Sequence, residues 1–153
     1  MDTVTKRLYE AMFLVDTAQA TADWDQTVKA IETVLERAEA DVLSVRKWDE
    51  RRLEYPIKKT DRGTYFIAYF KAPTSSIVGL ERDVQLSEII MRVLVLRGDH
   101  LTAEDMQKDT PAMVTETNIK KIQEKTQQQE EQSSSAQQAE STDNQPVSEV
   151  NEQ

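Results

Sequence analysis

The chain contains no cysteine and only one histidine. Without cysteine there is neither a disulfide framework nor a thiolate metal site, a composition suited to a reducing compartment. His100, beside Asp99, has no second imidazole with which to build a zinc site and reads as a surface residue. No apolar run approaches the roughly 20 residues that span a bilayer, and the opening MDTVTKRLYE lacks the hydrophobic region of a signal peptide. The expectation is a cytoplasmic protein with no membrane partner. There is no GxGxxG, no Walker loop and no internal repeat. Ser75 and Ser76 have no base or oxyanion-hole pattern near them and suit the start of a helix. The sequence therefore offers no catalytic centre and implies no cofactor. Apolar residues make up only 38% of the 153 residues and the mean hydropathy is −0.65, low for a chain that is globular throughout.

The formal charge of −9 is unevenly placed. Residues 1–100 carry 15 Lys and Arg against 17 Asp and Glu, whereas residues 101–153 carry 4 against 11. Within 46–71, eight basic residues face four acidic ones, so a chain that is acidic as a whole keeps one segment able to meet phosphate. The plainer reading of that segment is a solvated hairpin.

Leu8 to Val15 is an apolar run with aromatic and β-branched members, interrupted by Glu10, and predicts a central strand ending near Asp16. Trp24, Val28, Ile31, Leu35 and Ala38 recur at spacings of four and three, predicting an amphipathic helix opened by a capping box of Asp23 and Gln26. Val42 to Ile57 predicts an irregular strand, because Pro56 cannot donate to a ladder and requires an edge or a bulge. Thr60-Asp61-Arg62-Gly63 predicts a turn, with Gly63 free to take positive φ, followed by a strand from Thr64 to Ala72. Ile77, Leu80 and Val84 share a face of a second helix that Gly79 weakens by about 1 kcal/mol, and Ile89 to Arg97 is the last strand.

The order β-α-β-β-α-β predicts an α+β, ferredoxin-like fold: a four-stranded antiparallel sheet with two helices on one face, strands one and three central, and a disordered C-terminal tail. The expected boundaries are a domain over 1–100, a partly ordered extension over 101–125, and an acidic Gln/Ser/Glu-rich tail over 126–153 with almost nothing to bury. In strand three both alternating sets, Tyr65/Ile67/Tyr69 and Phe66/Ala68/Phe70, are apolar or aromatic. Two helices can cover only one face, so the other predicts either a partner or a loop or tail folded over it.

Arg62-Gly63, Phe66 and Tyr69 match part of the RNA-recognition-motif strand pattern, which fails at Thr64 and Tyr65. A more specific likeness runs from about residue 7 to 98. Tyr9-Glu10, Trp48, Arg51-Arg52-Leu53-Glu54-Tyr55-Pro56-Ile57-Lys58-Lys59, Gly63-Thr64-Tyr65 and Arg92-Val93-Leu94-Val95 resemble, in order and spacing, the bacterial small-subunit ribosomal protein S-six family. Asp49 stands where that family usually has glycine, and Glu54 where it usually has alanine. The resemblance implies a non-catalytic constituent of the small ribosomal subunit that binds the central domain of small-subunit ribosomal RNA with ribosomal protein S-eighteen. By position it implies RNA or partner contacts at Arg7, Tyr9, Lys58 and Arg92. Arg51, Arg52 and Arg97 are further candidates on charge. The alternatives are a stand-alone RNA-recognition-like binding module, which would hold short single strands unaided, and a ferredoxin-like regulatory domain that dimerises through its open sheet face.

Overall fold

The computed structural model describes residues 4–139, with side chains through residue 128. Strand β1 (Lys6–Asp16) leads through two helices, α1 (Thr17–Ala22) and α2 (Trp24–Arg37), to the β2–β3 hairpin (Asp41–Ile57 and Thr60–Pro73). A single 3-10 turn opens α3 (Ile77–Leu86), β4 (Ile90–Arg97) completes the sheet, and α4 (Ala103–Gln107) and α5 (Pro111–Ala139) follow. All strand pairs are antiparallel and the order is β2-β3-β1-β4, so β1 and β3 are central and the fold is ferredoxin-like.

Carboxylate caps set the helix starts. Asp16 accepts a hydrogen bond from the Ala18 amide at 3.0 Å, and Asp23 accepts one from the Gln26 amide at 3.0 Å. The first of these opens α1, a six-residue helix that periodicity does not predict, because too few turns exist for an apolar stripe to repeat. The face of α2 built on Ile31, Val34 and Leu35 packs with Leu80 and Val84 of α3 on Phe13, Phe66, Phe70 and Ile90 of the sheet. Each of those rings is worth about 3–5 kcal/mol against alanine at a site this buried. Pro56 lies in edge strand β2, in the stretch between Arg52 and Ile57 where the register shifts, as its missing donor requires.

The hairpin turn lies two residues earlier than the sequence suggests. Lys58 and Lys59, at φ 48° and 64°, make the reversal and β3 already begins at Thr60. Gly63 is not at positive φ. A Cβ there would overlap Leu14 Cδ1 and crowd Leu53 Cδ2 at 3.2 Å, so both leucine side-chain ends would have to shift to admit one. Two consecutive left-handed lysines cost roughly 1–2 kcal/mol each relative to an ordinary conformation, which Asn-Gly in this kind of turn would avoid.

The packed unit continues past residue 100 to Val114, so the segment after β4 is part of the domain and not only an extension of it. From Met113 to Gln128 every residue of α5 is exposed. Composition suggests no order from 126 onward, yet the backbone is helical to Ala139; 140–153 lie outside the described residues. Gln, Glu and Lys are good helix formers, and that local preference acts where there is no core to gain. No described helix is long and apolar enough to cross a membrane.

Gly79 of α3 is exposed, and a Cβ there would meet no atom within 4 Å. Gly79→Ala should therefore stabilise the domain by about 0.5–1 kcal/mol in urea unfolding, and an unchanged or lower midpoint would show that α3 needs the glycine for another reason.

Candidate functional site

Strand register assigns every side chain to one of the two sheet faces. On the face without α2 and α3, cross-strand rows run Ser44–Tyr69–Glu10–Leu96, Arg46–Ile67–Met12–Leu94 and Asp49–Tyr65–Leu14–Arg92. This open face divides in two. Towards β2, Ile67 and Tyr69 are 6% and 5% exposed, and the segment after β4 lies against them. Arg46, in the Ile67 row, donates to the Met106 and Lys108 carbonyls at 2.6 and 3.1 Å, and Thr110 Oγ1 donates to the Lys47 carbonyl at 2.9 Å. Towards β4, Leu94 and Leu96 are 60% and 50% exposed. The chain's own segment thus covers one half of this face, as the loop alternative expected, and the other half is bare.

Next to the bare half, Met12, Leu14, Tyr65 and Leu94 line a groove of about 470 Å³ together with Arg51, Arg52, Leu53, Glu54 and Tyr55 of the hairpin and Arg92 of β4. Arg92 Nη1 donates to the Tyr55 hydroxyl at 2.9 Å and its guanidinium lies 5.7 Å from the centre of the Tyr55 ring. The ring fixes the direction in which the charge points without neutralising it. Tyr55 itself is 56% exposed; its signal in the sequence was an aromatic beside Pro56 in a polar hairpin, a place where burial cannot explain it.

Arg51 is held differently. Its Nε reaches Asp49 Oδ2 at 2.7 Å and its guanidinium lies 4.7 Å from the Trp48 ring centre, with Trp48 edge-on to Tyr65 at 6.1 Å. The Arg51 hydrogen bond keeps the Asp49 carboxyl below its usual range, and Arg62 does the same for Glu50 at 2.8 Å. Both pairs are exposed and contribute little to stability. Their consequence is for charge: the Asp49 departure from the family pattern neutralises one expected cation. Among the described residues Arg46, Arg52, Lys58, Lys59 and Lys71 of the hairpin and Arg92 of β4 have no carboxylate within ion-pair distance, so three of these cations lie at the hairpin tip or beside it and Arg92 borders the groove, where Glu54 also stands.

The other expected residues lie elsewhere. Arg7 and Arg97 converge on Asp99 at the opposite end of the sheet, at 4.0 and 2.7 Å. Tyr9 belongs to the helix-covered face in the row Val42–Phe70–Tyr9–Arg97. Its ring stacks on Phe70 at 5.9 Å, its hydroxyl bonds Thr74 at 3.2 Å, and at 4% exposure it has almost no surface to offer a partner. Thr64 and Phe66, the positions at which the RNA-recognition pattern places stacking rings, are also on the covered face and buried. Among the described residues no three His, Asp or Glu side chains converge to hold a metal.

A family model described as Ribosomal protein S6 matches residues 8–97, which include all four strands apart from the first two residues of β1. The chain belongs to the ribosomal protein S6 family. Small ribosomal subunit protein bS6 of Campylobacter lari is 36% identical over 94 residues, covering 61% of this chain and 76% of that protein. The bS6 of Thermosynechococcus vestitus is 31% identical over 108 residues, 70% of this chain and 95% of its own. The crystal structure of 30S ribosomal protein S6 from Thermotoga maritima superposes with a TM-score of 0.53 at 25% identity, covering 60% of this chain and 87% of that one. The segment after β4 that covers half of the open face lies beyond the S6 family match.

Burial pushes the Tyr69 phenol above its ordinary value of 10, and the neighbouring Glu10 adds to the shift. A folded-state value raised above the unfolded one gives stability that is present below pH 10 and lost as pH rises through the folded value. Tyr69→Phe should therefore gain stability relative to the parent protein above pH 10. Melting temperatures of the two proteins between pH 8 and 11 measure this, and a constant difference would place Tyr69 in solvent.

Proposed function

We propose that the chain is a non-catalytic constituent of the small ribosomal subunit, acting in the cytoplasm, that binds the central domain of small-subunit ribosomal RNA together with ribosomal protein S-eighteen. The observation that carries this reading is the bare half of the open face. An apolar strip of Leu94 and Leu96, with half-buried Met12 beside it, fits a protein surface, and the cations near it, Arg52 and Arg92, stand where a phosphate backbone can reach the edge of such a joint. Family membership supplies the setting, since the relatives are small ribosomal subunit proteins bS6.

The charge supports joint rather than solitary binding. Residues 1–100 carry two more acidic than basic residues, so alone the domain neutralises few phosphates and should show a shallow salt dependence. A basic partner supplies the missing cations and orients those that are here. The strained lysine pair at the hairpin tip favours the same reading, because the chain keeps two left-handed residues where they set adjacent cations in solvent. Of the expected contacts, Arg52, Lys58 and Arg92 form the RNA-facing set. Arg51 is a weaker member because of Asp49, and Arg7 and Arg97 are a separate pair tempered by Asp99. Stand-alone recognition of single strands is disfavoured, since the ring it would need at Phe66 faces the core.

The test is a titration of a central-domain RNA fragment at several salt concentrations, with and without S-eighteen. Affinity and salt slope should both rise with the partner present, and Arg92→Ala should weaken the ternary complex by about 1–3 kcal/mol. Tight, specific binding by this chain alone would replace the joint mechanism with the stand-alone one.

A further inference from the structure

The sheet order β2-β3-β1-β4 leaves β2 and β4 as its two edges, and they are unlike. β2 is interrupted by repeated register shifts, holds Pro56 and carries the charges of Lys47, Asp49, Arg51 and Arg52, devices that keep an edge from pairing with another chain. β4 has its shift at the start of the strand, opposite Leu14 and Val15, and from Arg92 onward it is regular, with Val93-Leu94-Val95-Leu96 free of proline and charge. The direction of its main-chain groups follows from Gly98 N, which donates to the Leu8 carbonyl at 2.8 Å one step beyond the Tyr9–Arg97 pair. Antiparallel bonds alternate along a strand, so Arg92, Leu94 and Leu96 turn their amides and carbonyls to β1, and Val93, Val95 and Arg97 turn theirs outward. Among the described residues no strand pairs with those outward groups. Beside this edge α3 and β4 leave a depression of about 350 Å³ lined in part by Glu81, Gln85, Met91 and Val93. Glu81 is exposed and has no cation within ion-pair distance among the described residues.

We propose that the free chain forms a two-fold dimer in which β4 pairs antiparallel with β4 of a second copy, joining the two sheets into one. The strand selects this occupant because it complements itself. With the axis at Val95, the outward amide and carbonyl of Val95 meet those of its copy, and those of Val93 meet Arg97 of the second copy. On the open face the same register sets Leu94 directly opposite Leu96 of the second copy, two side chains that are mostly exposed in the single chain. On the helix face it brings Arg97 of the second copy over Val93, beside the depression that holds Glu81, so a guanidinium otherwise shared with Asp99 gains a second carboxylate. Moving the axis to Leu94 or Val93 sets Arg92 opposite a leucine, so apolar matching selects the register at Val95. Pairing consumes the open edge of each copy, and the protected β2 edges stop growth at two. It also covers Leu94 and Leu96, so the dimer is the form of the unassembled chain and excludes other use of the bare half. The inference needs no other partner and stands apart from the proposed function.

Sedimentation equilibrium of the full chain, from micromolar to millimolar concentration, tests this. The mass should rise from 17.5 kDa to twice that value. Val95→Pro removes an outward amide without touching the β1 ladder and should keep the single-chain mass at concentrations where the parent is dimeric. Glu81→Arg should weaken the dimer by about fivefold, and adding Arg97→Glu to it should recover most of that loss, which a merely destabilised fold would not do. A parent that keeps the single-chain mass throughout overturns the proposal. So does a folded Val95→Pro that dimerises as the parent does, since the contact would then lie elsewhere. Should Val95→Pro fail to fold, the charge exchange decides: an unchanged dissociation constant in Glu81→Arg, or no recovery in the double variant, overturns the pairing.

Discussion

Strand β3 is apolar on both sides, and the fold has only one layer of helices with which to cover it. Phe66, Ala68 and Phe70 are buried beneath α2 and α3, and this face supplies the stability of the domain. Tyr65, Ile67 and Tyr69 point the other way from the same strand, so whatever register buries the first set also presents the second. Everything distinctive about the molecule follows from how that second set is handled: part by the chain's own segment after β4, part left bare.

The charges are arranged around this inequality. Pairing consumes Arg51, Arg62 and Lys47 against Asp49 and Glu50, and leaves Arg52, Lys58, Lys59 and Lys71 exposed on the hairpin, with Arg92 beside it on β4. Arg92 sits in the strand beside the bare apolar strip, so one row of the sheet, Asp49–Tyr65–Leu14–Arg92, carries both apolar floor and cation. A protein and an RNA that approach along this row meet different chemistry within one groove. On the proposed function, an acidic domain serves an RNA-bound assembly in this way, because the position of its free cations matters more than the total.

Much of this was legible in the residues. Strand order, the central places of β1 and β3, the edge position of Pro56 and the double-sided character of β3 all follow from periodicities that a packed sheet must respect. What was not legible depended on contacts distant in sequence. Gly63 suggests a turn, but it lies within β3 close against Leu14 across the sheet; the turn falls on two lysines that no local rule would choose. Tyr9 looks like a contact residue until register puts it beside Phe70. The placement of residues 101–114 on the sheet rests on Arg46, whose bonds to carbonyls leave no trace in side-chain pattern. Asp49 could be seen as a departure, but its effect, the capture of Arg51, needed the geometry of the strand.

The central claim is that the bare, apolar half of the open face is where the chain joins the small subunit. Sedimentation of cell extracts that contain the full chain or Leu94→Asp tests it most directly. Leu94 is mostly exposed, so the substitution should leave the folded monomer within about 1 kcal/mol of its stability, while an unpaired carboxylate buried in the joint costs several. The account predicts that the parent chain sediments with small subunits and that Leu94→Asp, with an unchanged melting temperature, stays near the top of the gradient. Equal sedimentation of the two would contradict it.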